Sequence, residues 1–325
     1  MTSKVVFING GTGFIGRALC SALLKRSSPV PLPKLGTEAA GNSEELNSSH
    51  INYQLYVQTR MPSHHRHKAI RFVSSYADLP AGTVPDIVVN LAGAPIADKR
   101  WSQSQKKVLR DSRVRLTESL FQALSAKGHT PEVLLNASAI GYYGVQQDQV
   151  LDETSPMGEG FAPELCSAWE AAAQKFSTLG TRVCVFRIGV VLGPGGGALG
   201  KLLPLFKMAL GGPIGSGEQW FSWIHITDLV NLLLSAMDSS DYRGVINATS
   251  PNPVRQAEFA QAFGRQLNRP AILPTPSWVL RCVYGQMADE LLIGGQRVEP
   301  KTALALGFSF KHEDIGSALA DVTQV

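Results

Sequence analysis

The chain has 325 residues, 44% hydrophobic and 17% charged, with a formal net charge of +4. That apolar share supports a large buried core and excludes a disordered chain. The mild basic excess is spread out, with no long Lys/Arg block of the kind that marks a nucleic-acid partner.

The first predicted element is a buried strand, Val5-Val6-Phe7-Ile8, followed at once by Asn9-Gly10-Gly11-Thr12-Gly13-Phe14-Ile15-Gly16 and then by apolar residues at helical spacing over Arg17–Leu24. Strand, glycine turn and helix in that order are the context a dinucleotide fingerprint requires. Gly10 allows the tight turn, Gly13 lets backbone approach a pyrophosphate, and Gly16 lets the helix pack closely on the strand. The free N–H groups of the helix start then face the anion. Thr12, Phe14 and Ile15 lie within the turn and belong to the same candidate set.

Residues 27–51 are rich in Ser, Pro, Gly and Asn and read as a loop inserted before a second strand at about Tyr53–Thr59. A loop of that length is mobile or specialised in an ordinary domain. Strands are predicted at Ala69–Val73 and Asp86–Leu91, then a long amphipathic helix from about Ser104 to Ala126. Strand Val133–Ser138, a helix near Pro163–Thr178 and strand Arg182–Val190 follow. Alternating β and α elements imply an α/β fold with a doubly wound parallel sheet. Beyond Gly193 the composition changes. Pro194–Gly197 reads as a loop, 198–210 as a helix and Gly211–Gly217 as another loop, before a proline-punctuated region. This part, about 194–225, reads as a substrate lobe over the carboxyl edge of the sheet, where ligands of open α/β folds bind. The division expected is a dinucleotide-binding unit over 1–270, carrying that lobe, and a small unit over 271–325.

The second strand ends Gln58-Thr59-Arg60, beside the expected adenosine ribose. An acid there would bind both hydroxyls of NAD, whereas Arg60 complements a 2′-phosphate, with Arg66 and Lys68 adding charge nearby. NADP is therefore favoured over NAD. Asn90-Leu91-Ala92-Gly93 closes the fourth strand with small residues that let the chain pass the adenine and ribose. Arg113 on the next helix is a candidate for the pyrophosphate. His225 reads as a structural residue at a helix start, capped by Thr227 or Asp228. Trp220, Phe221 and Trp223 after the glycine loop read as an apolar wall for a ligand. His64, His65 and His67 lack a carboxylate or Cys partner, so no metal site is predicted. The four cysteines, Cys20, Cys166, Cys184 and Cys282, are widely spaced, which suits reduced thiols in a cytoplasmic protein. A strand beginning by residue 4 leaves no room for a leader, and no apolar run reaches the length of a membrane span.

With these residues in view, the chain resembles the short-chain dehydrogenase/reductase superfamily along its whole length. More closely it resembles an atypical epimerase-like branch labelled putative NAD-dependent epimerase or cell-division-inhibitor-like protein. The closer match is carried by Asn90–Gly93 with Ala97–Trp101, Ser138–Gly144, Leu165–Glu170, Arg187–Gly193, Gly211–Gly217 with Trp223-Ile224-His225, and Gly294–Arg297. The resemblance implies a Rossmann core, an NADP-type cofactor, here NADPH, and a short C-terminal helical domain from about residue 272. Val191 joins the cofactor set on the same ground.

The superfamily's reaction uses a Ser or Thr after the fifth strand, and a Tyr with a Lys four residues later on the next helix. Ser138 stands where the Ser belongs. Anchoring the helix register at Glu170 puts Ala162 at the Tyr position and Cys166 at the Lys position, and neither can do that work. Tyr143 or Tyr142 is left as the proton donor, its phenol near pKa 10 without a neighbouring cation. Cys166 as a thiol is another reading. The expectation is an NADP-binding reductase or epimerase-like protein using Ser138 and Tyr143 on a small organic substrate. The alternative is a non-catalytic NADP-binding redox sensor with a protein partner. A sugar-nucleotide epimerase is weakened by the missing Tyr/Lys pair. No nucleic acid or membrane partner is expected, and the oligomeric state, homo-oligomer or monomer, stays open.

Overall fold

The structure, a computed structural model, describes residues 2–27 and 51–323. In chain order, β1 (Thr2–Asn9) and α1 (Phe14–Ser27) are followed by β2 (Ile51–Gln58), β3 (Ile70–Val73) and β4 (Ile87–Asn90). Helices α2 (Gln103–Arg110) and α3 (Leu116–Ala126) come next, joined by a π turn at Asp111–Arg115. Then come β5 (Val133–Ala139), a tight 3-10 turn at Ile140–Tyr143, β6 (Val150–Leu151), α4 (Phe161–Gln174), β7 (Arg182–Ile188) and β8 (Val190–Leu192). The rest comprises α5 (Gly197–Lys207), β9 (Trp220–Phe221), β10 (Trp223–His225), α6 (Ile226–Asp238), β11 (Gly244–Ala248), β12 (Val254–Arg255) and α7 (Gln256–Gln266). It ends with α8 (Ser277–Tyr284), α9 (Gln286–Ala288), β13 (Arg297–Val298), α10 (Lys301–Ala305) and α11 (Ile315–Thr323).

Seven strands form one parallel sheet in the order β11-β7-β5-β4-β1-β2-β3. Strand side chains alternate between faces, and both faces are apolar because both are covered by helices. Val6 and Ile8 of β1, Ile87 and Val89 of β4, and Val133 and Leu135 of β5 enter one core with Leu19, Leu23, Leu229 and Leu233. Phe7, Val88 and Leu134 enter the other with Leu120, Leu124 and Phe176. The strand order reverses between β1 and β4, so a crevice opens at their carboxyl ends. This is the doubly wound Rossmann-type sheet that the alternating pattern implies. A third core unites Leu192, Phe206, Trp223, Phe259 and Phe263 with Ile315 and Leu319 of α11. The small C-terminal lobe therefore packs on the segment that follows β7, and one core runs across residue 270.

The elements differ from the sequence reading in four places. The predicted helix 104–126 widens into the π turn at 111–115. The predicted strand 182–190 is two strands: Gly189 donates to Ala248 O (3.0 Å) and Val190 to Ser222 O (2.9 Å), so the chain leaves the main sheet and pairs with β10. A Cβ at Gly189 would lie 2.8 Å from Ser222 O, so the crossing needs glycine. The helix expected over 198–210 stops at Lys207, and Ala209 takes φ 58°. Strand β11, unread in the sequence, closes the sheet edge beside β7. The predicted insertion at 27–51 falls on residues 28–50, outside the described residues.

Candidate functional site

The β1–α1 turn is shaped by contacts that leave no room for side chains. Gly10 has φ +82°, and a Cβ on it would lie 2.7 Å from the Leu91 carbonyl carbon. A Cβ on Gly16 would lie 2.3 Å from Gly10 O, so α1 starts directly against the turn. Gly13 N–H bonds Gly10 O at 3.0 Å, and Gly13 itself is exposed. Leu91 and Ala92 are thus in backbone contact with Gly10, which brings the two halves of the predicted cofactor set together. Gly93 serves a different neighbour from the one read in the sequence: its Cβ would meet the Arg113 guanidinium at 2.9 Å. The π turn directs Arg113 there, where it donates to Ala94 O (3.0 Å) and lies over Trp169 (5.4 Å). Burial lowers its pKa, with the Cys166 side chain acting the other way.

Phe14 fills the space beneath the 193–197 loop. A Cβ on Gly193, Gly196 or Gly197 would come within 2.9, 2.4 and 3.1 Å of its ring. Val191, in β8 and paired with Ile224, is partly buried beside this loop, and Ile15 packs partly buried on the main core. The glycine run after Leu192 therefore lets the lobe lie across the start of α1. Lys201 of α5 bonds Ala97 O (3.1 Å) and pairs with Asp98, so lobe and β4 loop also meet across the crevice.

At the end of β2, Thr59 N–H bonds Val73 O (2.9 Å), and Arg60 is exposed. Next to it opens a cavity of about 350 Å³ lined by Gly11, Thr12, Arg17, His65, Arg66 and His67 among others. Arg17 is held by Thr12 O at 2.8 Å. Arg17, His65 and His67 were missed as candidates because each reads alone as a solvated polar residue. Only the return of the 61–67 turn over α1 joins them to the glycine turn.

The reaction end is arranged differently from expectation. Ser138 is buried and donates to Glu170 Oε1 (2.6 Å); the partly exposed residue ending β5 is Ala139, which has no hydroxyl. Tyr143, read as facing the reacting carbon, is fully buried. Its hydroxyl donates to Asn247 Oδ1 (2.7 Å) and accepts from Arg187 Nη1 (3.1 Å). The expectation of a phenol near pKa 10 with no cation beside it is corrected: burial pushes it up to about 12 despite the Arg187 guanidinium. Arg187 also makes a two-bond ion pair with Glu170 (3.0 and 2.9 Å), both nearly buried. Burial works against its charge, but the Glu170 contacts outweigh that and raise its pKa. Ser138, Glu170, Arg187, Tyr143 and Asn247 thus form one closed network facing inward. The signal for it was a charged residue in the middle of the apolar run Val183–Ile188.

On α4, Ala162 and Cys166 face the 140–143 turn, as the register predicts: a Cβ on Gly141 would lie 3.3 Å from Ala162 Cβ and 3.9 Å from Cys166 Sγ. Burial, followed by the Glu170 charge, raises the Cys166 thiol to about 11, so it is no nucleophile. Tyr142 is half-exposed, with the Arg187 guanidinium 3.4 Å from its ring centre. Glu290 of the C-terminal lobe accepts from Phe161 N (3.2 Å) and Ala162 N (2.8 Å), capping α4 from afar because Gly160 has no side chain to do so.

The aromatic wall is also corrected. Trp223 is core, Phe221 stacks on Phe259 (4.3 Å), and Trp220, half-buried like Phe221, lies instead under the Arg255 and Arg297 guanidinium groups, because alternate residues of a strand face opposite ways. The α6 cap is His225 itself, whose Nδ1 accepts from Thr227 N (3.2 Å), while Asp228 accepts from Lys311 N and His312 N. Among the described residues no helix is long and apolar enough to cross a membrane.

A model of the NAD dependent epimerase/dehydratase family matches residues 6–248, and a domain of unknown function, DUF1731, matches 275–322. The chain is 42% identical over 323 residues to an epimerase family protein of Mycobacterium bovis, covering 99% of each. It is 40% identical to the chloroplastic SDR39U1 homolog of Arabidopsis thaliana, covering 99% of this chain and 88% of the relative. The crystal structure of human epimerase family protein SDR39U1 (isoform2) with NADPH superposes with a TM-score of 0.82 at 34% identity, covering 98% of this chain and 99% of that one.

Proposed function

Because this chain belongs to the NAD dependent epimerase/dehydratase family, we propose that it is an NADPH-binding oxidoreductase of the epimerase-like short-chain type, acting on a small organic substrate. The observation that carries the reading is the amide-lined turn. Gly10 and Gly16 are in contact with backbone that any side chain would strike, while Gly13 is left exposed toward the place of a phosphate. The residues fit the cofactor. Gly10–Gly16 would hold its pyrophosphate, Leu91–Gly93 and Arg113 would flank it, and Arg60 with Arg17 and Arg66 would take the 2′-phosphate. When bound, NADPH supplies a hydride. The chain's own part is to bind and orient it, and to deliver a proton without a Tyr/Lys pair.

Tyr142 is the candidate for that proton, because Tyr143, Ser138 and Cys166 are withdrawn into packing. A cytoplasmic location belongs to this proposal and rests on four cysteines that are all unpaired. The reading is tested by following NADPH consumption at 340 nm, about the wavelength where the reduced ring absorbs, across aldehydes, ketones and quinones. Turnover should appear with one class and fall at least about tenfold in Tyr142→Phe, the range of a lost general acid. Tight NADPH binding without turnover on any class favours the second reading, a redox-state sensor. That reading has its own support in the closed Ser138–Glu170–Arg187–Tyr143 network, which offers no side chain to a substrate.

A further inference from the structure

Beyond the turn at 140–143 the chain runs through Gly144, whose carbonyl accepts from Gln296 Nε2 (2.7 Å), to Asp148. Asp148 is 72% exposed, yet one of its oxygens is held by two donors from other elements. Trp220 Nε1 of β9 donates to Oδ1 at 2.9 Å, and Arg255 Nη2 of β12 donates to the same atom at 2.6 Å. The Arg297 guanidinium of β13 lies beside them, 4.7 Å from the Trp220 ring centre, and Arg255 lies 4.1 Å from it. The Trp220 and Arg255 bonds, with the Arg297 charge added, depress the Asp148 pKa. Arg297 Nε is buried and has no hydrogen-bond partner among the described residues.

The donors are built into the fold and do not depend on Asp148. β9 and β12 are paired through Trp220 and Arg255 themselves, and Arg255 Nη1 is fixed on Glu218 O. Gly295 packs against the Trp220 backbone and Gln146 N bonds Gly295 O (3.1 Å), so β13 is locked to the same spot. The carboxylate, by contrast, arrives on an exposed loop. An exposed ion pair of this kind contributes little stability, so a competing anion can displace it.

We propose that Trp220 Nε1, Arg255 and Arg297 form a carboxylate subsite for an organic-acid substrate, and that Asp148 is its built-in occupant. The charge count selects a singly charged anion. With Asp148 swung away, Arg255 and Arg297 carry two positive charges, and the Glu299 carboxylate 4.0 Å from Arg297 offsets one of them. The subsite adjoins the segment that leads from the β5 end through the 140–143 turn to Asp148. It names the substrate class for the proposed reductase and rests on that reading for its purpose, though not for its existence.

The test is 19F NMR titration of the full chain with 3,3,3-trifluoropropionate, with NADPH affinity measured on each variant. Asp148→Ala should bind the probe about fivefold more tightly than the unaltered chain, the range of an exposed ion pair removed from competition. Adding Arg255→Ala or Arg297→Ala to Asp148→Ala should abolish the gain, and Asp148→Asn should give part of it. NADPH affinity should stay within about twofold throughout, which also certifies the fold. No tightening in Asp148→Ala, or a gain that survives both arginine substitutions, overturns the subsite. Equal displacement by sulfate, a dianion at neutral pH, overturns the choice of a monoanion. Probe binding by a chain that fails to bind NADPH leaves the subsite standing and removes the proposed reductase.

Discussion

The two ends of the crevice are built on opposite plans. At the end that carries the glycine turn, Gly13, Arg60 and Arg66 are exposed and Ala92 is half-buried against Gly10. At the reaction end, Ser138, Glu170, Arg187, Tyr143 and Asn247 satisfy one another in a network with little exposure. The same superfamily resemblance covers both, but the side chains of the second are largely taken up with one another. Where a buried hydrogen-bond network is complete, its members hold the fold and are poor choices for chemistry.

Predictions that break the comparison fall in order of size. Arg187→Met leaves Glu170 as an unpaired, nearly buried carboxylate and should cost about 3–5 kcal/mol, read by urea denaturation. A loss below about 1 kcal/mol would mean the network is not structural. Tyr143→Phe leaves Asn247 Oδ1 without its donor and should cost about 1–3 kcal/mol, with NADPH turnover unchanged in the folded fraction. A large fall in kcat at unchanged stability would return Tyr143 to the chemistry. Arg60→Ala should weaken NADPH by about tenfold, roughly 1.4 kcal/mol, and leave NADH unchanged, by calorimetry. The smallest effect is chemical: Cys282, exposed, should be alkylated by iodoacetamide at pH 8 while Cys166, raised to about 11, stays unmodified in the native chain. Labelling of Cys166 at the Cys282 rate would show the reaction end to be open.

The same contrast explains what was legible before the structure. Gly10, Gly13 and Gly16 act within one βα unit, so their spacing carries their role, and the αβ alternation that fixes the sheet is equally local. The exposed place of Arg60 was legible because a strand end is a local feature. What escaped depends on distant partners. Tyr143 looked available until Asn247, 104 residues away, accepted its hydrogen bond. The cap of α4 is Glu290, 129 residues from Phe161. Gly196 and Gly197 read as a loop, but their reason is the Phe14 ring. Arg17 and His65 join Arg66 only through the turn at 61–67, whose path no periodicity encodes.

The most direct measurement is isothermal calorimetry of the purified chain with NADPH and, separately, NADH. The account predicts one NADPH per chain with a dissociation constant in the micromolar range or below, and at least about tenfold weaker NADH binding. Binding of neither nucleotide at millimolar concentration, or equal affinity for both, would contradict it.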